Sequence, residues 1–170
     1  DGFYSTDEEA AGVDNSDIWG GKWLAGDVRY KNLNGDKTAD GKDIISKGHS
    51  KLQDPGDRKI IGNNTARYNY GISLSAEYKN FDFSCLMQGV GKRDLMLGGA
   101  YFWGFTDEWR TPTTEQLDYW TPDNPNAYYP RQRFGGGGNF QSQTKYLQNG
   151  AYMRMKQLTL GYSIPKALLS

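Results

Sequence analysis

Apolar and polar positions alternate strictly over residues 66–78. Tyr68, Tyr70, Ile72, Leu74, Ala76 and Tyr78 fall on one parity, and Asn69, Gly71, Ser73, Ser75 and Glu77 on the other. Successive side chains of a strand point to opposite faces, so the pattern predicts a strand with one apolar face. Lys79-Asn80 is a two-residue polar link, the length that joins antiparallel neighbours. Phe81, Phe83, Cys85 and Met87 then alternate with Asp82, Ser84, Leu86 and Gln88, which makes 66–90 a hairpin. A third strand is expected over 151–164, where Leu158, Leu160, Tyr162 and Ile164 alternate with Gln157, Thr159, Gly161 and Ser163. Met153 and Met155 fall on the opposite parity from Leu158, which predicts a bulge or a membrane boundary near Lys156. Pro165 stops this strand and Lys166 marks a second short turn.

The segments between the strands are long. Residues 1–65 read as loop, with Trp19, Trp23, Leu24, Val28 and Tyr30 as isolated anchors and Ile44-Ile45 and Ile60-Ile61 as short strand candidates. Residues 91–150 form a connection that holds four of the six prolines and the run Gly135 through Gly138. A short helix is expected from Thr113 to Trp120, with Thr113 and Gln116 at capping-box spacing. Connections of this length are unusual in a compact soluble domain and ordinary on the outer side of an outer-membrane barrel. The first strand carries tyrosines at both ends and aliphatics between them, which suits two lipid–water rims. Three strands cannot close a barrel, and open edges are not tolerated in lipid. The expected fold is therefore all-β: antiparallel strands and long extracellular loops from a transmembrane β-barrel, present as a fragment. Its stretches are loop 1–65, hairpin 66–90, aromatic loop 91–150 and strand 151–164, all within one barrel domain.

Composition fits this pattern. The 170 residues are 36% hydrophobic with a mean hydropathy of -0.79, yet 12 Tyr, 7 Phe and 5 Trp make 14% of the chain. No stretch approaches the ~18 apolar residues of a membrane helix, and no secretory leader is visible at Asp1. Single Cys85 and single His49 exclude an internal disulfide framework and a cysteine zinc cluster, and leave little room for histidine catalysis. The net charge of zero hides a gradient: seven acids against Lys22 in residues 1–27, and six bases with no acid in 124–170. The bases are too dispersed for the dense stripe of a nucleic-acid binder.

Residues Asn32 through Asp43 have the outline of a calcium loop, with Asn32, Asn34, Asp36, Asp40 and Asp43 at coordinating positions. Lys37 stands where such loops have glycine, and Asp43 where they have glutamate; an Asn/Asp/Gly turn is the competing reading. Gly89-Val90-Gly91-Lys92-Arg93-Asp94 fails the phosphate-loop pattern at Leu86 and Arg93. Asp107-Glu108 is an acid pair of the type glycosidases use, but nothing in the spacing selects it. No catalytic residue is assigned, and no cofactor beyond a calcium ion is suggested. The aromatics Tyr101, Trp103, Trp109, Trp120, Tyr128 and Tyr129 suit packing of the loop on itself, contact with a partner, or stacking on a ligand.

Five blocks in order resemble SusC/RagA-type TonB-dependent outer-membrane transporters: Gly26 to Asp36, Gly56 to Asn63, Gln88 to Asp94, Tyr119 to Ala127 and Tyr146 to Tyr162. Asn32 and Lys37 depart from the family's acidic loop, which has Asp and Gly there. The resemblance covers nearly the whole chain. It implies a segment of a 22-stranded barrel in the bacterial outer membrane, with a plug and a TonB-contacting part upstream. It further implies import of oligosaccharides, or in some members peptides, beneath a SusD-like surface lipoprotein and driven by the TonB complex. Loops 1–65 and 91–150 would face that lipoprotein and the external vestibule. The alternative is a secreted soluble β-domain that binds carbohydrate through its aromatic loop.

Overall fold

The computed structural model describes residues 2–18 and 22–165; the expected anchor Trp19 and the expected turn residue Lys166 lie outside the described residues. In chain order the elements are α1 (Asp7–Ala11), β1 (Val13–Asp14), β2 (Asp43–Ile44), β3 (Arg67–Tyr78), β4 (Phe81–Lys92), β5 (Asp94–Met96), α2 (Ala100–Trp103), β6 (Leu147–Asn149) and β7 (Tyr152–Tyr162), with three 3-10 turns between α2 and β6. The chain forms two compact units. One is the chain up to Ile61 together with Leu97–Tyr146, and the other is Gly62–Met96 together with the chain from Leu147.

The second unit contains an antiparallel sheet in the order β3-β4-β7 and a two-stranded ribbon of β5 and β6. Lys79 takes a φ of 55° at the tight turn between β3 and β4. The register sets Ile72 opposite Met87, Leu74 opposite Cys85 and Tyr78 opposite Phe81. On the far side of β4, Phe81 faces Tyr162, Phe83 faces Leu160 and Cys85 faces Leu158. These pairs share one face, so three separately alternating runs merge into one apolar surface. Its partner face carries Ser73, Ser75, Ser84, Gln88, Thr159 and Arg154.

The register also accounts for the parity break in β7. Leu86 pairs with Gln157 but Met87 pairs with Met155, so Lys156 is the extra residue of a bulge. The bulge returns Met155 and Met153 to the apolar face, opposite Met87 and Gly89. At that end the Tyr70 ring lies over Gly89, and any side chain at 89 would collide with it. At the turn end Phe81 and Tyr162 pack as a tilted pair with ring centroids 4.6 Å apart.

Both faces of this sheet are open. Every residue of β3 is exposed, and only the central strand β4 buries side chains, at Cys85 and Val90. Leu74 is 49% exposed, Leu158 58% and Leu160 74%. From Tyr68 to Tyr78 the apolar face of β3 spans ~34 Å along the strand, which at a tilt of ~40° gives a height of ~26 Å.

The strands are those that the alternation predicts, with small shifts. β4 runs to Lys92, and β7 ends at Tyr162 rather than 164. Ile44 lies in β2, whereas Ile60-Ile61 is not in a strand. The first unit is more ordered than a loop reading of 1–65 implies. Thr6 caps α1 by accepting the Glu9 N–H at 3.1 Å, and Asp7, Glu8 and Glu9 line its first turn. Tyr4, Ala10, Ile18, Trp23 and Ile45 form one core cluster, and Ala25, Trp120 and Ala127 another. The expected helix at 113–120 is a 3-10 turn over Thr114–Leu117, closed by the Thr113–Gln116 capping box.

Removal of Lys156 leaves strict alternation along β7. With Cys85 replaced by Ser, cysteines introduced at Met87 and Met155 will oxidise to a cross-strand disulfide, and deletion of Lys156 will not abolish it. Cysteines at Met87 and Lys156, which the bulge holds out of register, will oxidise in lower yield on non-reducing gels.

Candidate functional site

The first unit closes around a buried carboxylate. Asp27 is 2% exposed. Its Oδ2 accepts from Arg133 Nη2 at 2.5 Å and from the Leu24 N–H at 2.8 Å. Its Oδ1 accepts from Arg133 Nε at 3.2 Å and from Asn139 Nδ2 at 2.9 Å. Arg133 also donates to the Lys22 carbonyl, and Asn139 Oδ1 accepts the Val28 N–H. Each carboxylate lone pair thus meets a donor, the condition under which a buried charge is tolerated. Gly26 precedes Asp27 with a φ of 86°, and a Cβ there would collide with Trp120. The Gly26 carbonyl accepts the Arg131 N–H at 2.9 Å, and its N–H donates to the Tyr4 carbonyl at 2.8 Å. The Gly-Asp pair of the first sequence block therefore ties the N-terminal segment to residues 118–139. Arg133 and Asn139 lie more than a hundred residues from Asp27 and carry no local signal of this role.

The six aromatics singled out from the sequence separate into two groups. Trp103, Trp120 and Tyr129 are interior residues, 3%, 5% and 8% exposed. Trp103 packs edge-on to Tyr146 at 4.8 Å, and Phe102 contacts Tyr128, Tyr129 and Tyr146. Packing of the loop on itself is the role of this group. Tyr101 and Trp109 are 90% and 91% exposed, and Tyr128 stands at the edge of the cluster. Sequence alone could not make the division, because aromatics serve cores and surfaces equally. Tyr146, which sequence reasoning did not single out, is fully buried, and its hydroxyl donates to the Tyr128 carbonyl at 2.7 Å.

The calcium-like loop closes on itself. Asn32 Oδ1 accepts the Gly35 N–H and Asn34 Oδ1 accepts the Asp36 N–H, as in Asx turns. Asn34 Nδ2 donates to Asp36, and Asp43 pairs with Lys37 at 3.3 Å. Asp40 sits in the adjoining turn, which the Gly41 N–H closes on the Thr38 carbonyl. The structure brings Asn32, Asn34 and Asp36 together and turns Asp43 to a lysine. Among the described residues, no cluster of three or more His, Cys, Asp or Glu is placed to hold a metal ion. The loop is held from outside by Asp57 of the second sequence block. Asp57 Oδ1 accepts the Leu33 N–H at 2.6 Å and its Oδ2 the Ser46 N–H at 2.7 Å. His49 pairs with Asp54 within its own loop and holds that carboxyl below the usual range. Asp107 pairs with Arg110 three residues on, which lowers its carboxyl likewise.

No family model matches the chain. Two TonB-dependent receptors of Formosa agariphila are similar to it. One is 30% identical over 121 residues, 66% of this chain and 11% of the receptor. The other is 25% identical over 169 residues, 96% of this chain and 15% of the receptor. The chain thus spans less than a sixth of either relative's length. It is related to TonB-dependent receptors and corresponds to a segment of them.

Loss of the Asp27 carboxylate strands Arg133 and Asn139. Asp27→Ala should cost about 3–5 kcal/mol, the usual loss when one partner of a buried pair is removed. Hydrogen exchange will show protection lost at the Leu24 and Val28 amides. The first unit will also be sensitive to alkali. Burial raises the Tyr4 phenol to about 12 and raises Tyr30 and Tyr146 as well. The folded form then holds protons that the unfolded form releases above its ordinary value of 10.0. Stability is fully present below pH 10 and falls as pH rises through about 12. Near-ultraviolet circular dichroism will collapse in that window, together with late phenolate absorbance.

Proposed function

We propose that the chain is a piece of the barrel of a SusC/RagA-type TonB-dependent transporter in the bacterial outer membrane. The open sheet carries the argument. A soluble sandwich buries one face of each sheet, whereas β3, β4 and β7 leave a continuous apolar face and a polar face both uncovered. Lipid against the first face and an aqueous lumen against the second would satisfy both. The apolar height of ~26 Å agrees with the ~25 Å lipid band of outer-membrane barrels. Tyr68 and Tyr70 at one end, and Tyr78, Phe81 and Tyr162 at the other, supply the two aromatic rims. The two related receptors and the five ordered sequence blocks support the same reading.

In this proposal the turn at Lys79-Asn80 is the short periplasmic connection, and the first unit is built from two long external loops. The exposed Tyr101 and Trp109 are the residues offered to a SusD-like lipoprotein or to a passing oligosaccharide. Trp103 and Trp120 shape the same loop from within. Energy for import would come from the TonB complex through parts of the protein outside this segment.

Leu74 and Ser75 are neighbours on opposite faces of β3, so one pair of substitutions tests the assignment. Arginine at a mid-depth lipid-facing site costs about 2–4 kcal/mol, while a lumen-facing position tolerates charge. In the intact outer-membrane protein, Leu74→Arg will reduce the folded, heat-modifiable form on gels and Ser75→Arg will not. Equal tolerance of both substitutions refutes the lipid-facing assignment.

A further inference from the structure

The first unit contains a cleft of about 440 Å³ to which no role is yet attached. Its lining is unusual in charge. Arg29, Lys31, Lys47, Arg58, Lys59 and Lys145 border it, against Asp57 as the one acid in the lining among the described residues. That acid is already engaged, because both Asp57 oxygens accept backbone N–H groups. Arg29 is held by Glu9, and Lys47 reaches Asp17 at 3.9 Å. Among the described residues, Lys31, Arg58 and Lys59 have no carboxylate within ion-pair distance. Lys145 is partly desolvated over the Phe3 ring, at 4.3 Å from its centroid. Cations drawn around a concave, partly apolar surface focus a positive field that an anionic ligand would relieve.

A second observation comes from Gln143 in the cleft wall. It is 6% exposed, and its Nε2 donates to the Asn139 carbonyl at 2.8 Å and the Gln141 carbonyl at 3.2 Å. Its Oε1 is buried and has no hydrogen-bond partner among the described residues. A buried acceptor left open costs free energy that a ligand donor would recover. Val28, Leu33, Ile45 and Ile61 add an aliphatic floor. Anion-seeking rim, hydroxyl-seeking amide and apolar floor together match an acidic sugar: negative groups, hydroxyl donors and C–H faces on one molecule.

We propose that this cleft binds an oligosaccharide bearing carboxylate or sulfate groups, an inference that rests on the transporter reading above and gives it a substrate class. Lys31 and Lys59 are the free cations that hold its charge, and Gln143 Oε1 receives one of its hydroxyls. Titration calorimetry on the intact protein in detergent tests this with galacturonate and sulfated chondroitin oligosaccharides, a neutral malto-oligosaccharide and a short polyglutamate. An acidic saccharide will bind, the neutral one will not, and affinity will fall with added salt. The double variant Lys31→Gln with Lys59→Gln will weaken binding about ten-fold or more, as expected when two charged contacts are lost. Binding of the acidic saccharides that is unaffected by the double variant overturns the proposal, as does equal binding of the neutral sugar. Binding of polyglutamate without either saccharide also overturns it, in favour of an acidic protein partner. A preparation that shifts on heating but binds neither saccharide refutes the cleft and leaves the barrel reading standing. One that does not shift on heating refutes both.

Discussion

The carboxylate of Asp27 is the point on which the larger unit depends. It is buried without being isolated: one guanidinium, one amide and one backbone N–H converge on it. Irregular segments such as 22–31 and 118–143 have few ladders to satisfy their backbone groups. They need side chains to act as caps and clamps. Asp27 and Asp57 do this from two separate blocks, each following a glycine of positive φ. The glycine lets the chain reverse against its neighbour, and the aspartate then fixes the reversal.

The sheet unit obeys a different constraint. Its backbone is satisfied by long antiparallel ladders, but among the described residues its strands bury few side chains beyond Cys85 and Val90. Such a sheet is stable only if something covers the apolar face. The Lys156 bulge matters here. A strand of the same composition without it, but with Lys156 kept in register, would carry Met153 and Met155 to the polar side. The bulge spends one unpaired residue and keeps a single continuous apolar surface across three strands.

The two units thus divide the chemistry of the chain. Strands supply an open apolar surface, and the loop-built unit supplies exposed aromatics at Tyr101 and Trp109 and a cationic cleft bordered by Lys31 and Lys59, which the proposed function reads as a lipid-facing surface and as recognition features. Recognition placed on loops held by buried clamps is a common economy, since loops vary while the scaffold stays put. The residues that clamp and the residues that could bind alternate closely along the chain, as in Gly26-Asp27 followed by Arg29 and Lys31.

Sequence by itself determined the strands, their faces, the tight hairpin turn, the capping box at Thr113 and the parity break at Lys156. These are local properties: a period of two, a two-residue link and a three-residue spacing are all written in consecutive positions. It also pointed through ordered blocks to the TonB-dependent receptors. What only the tertiary structure decided is which aromatics are interior, which oxygens of the Asn32–Asp43 loop are already satisfied, and which cations share a cleft. Trp103 and Trp109 are the same residue type in one loop, yet one is 3% and the other 91% exposed. Lys31, Lys59 and Gln143 meet around one cavity from three distant stretches. Burial and charge convergence arise from contacts between residues far apart in the chain. No window of sequence contains them.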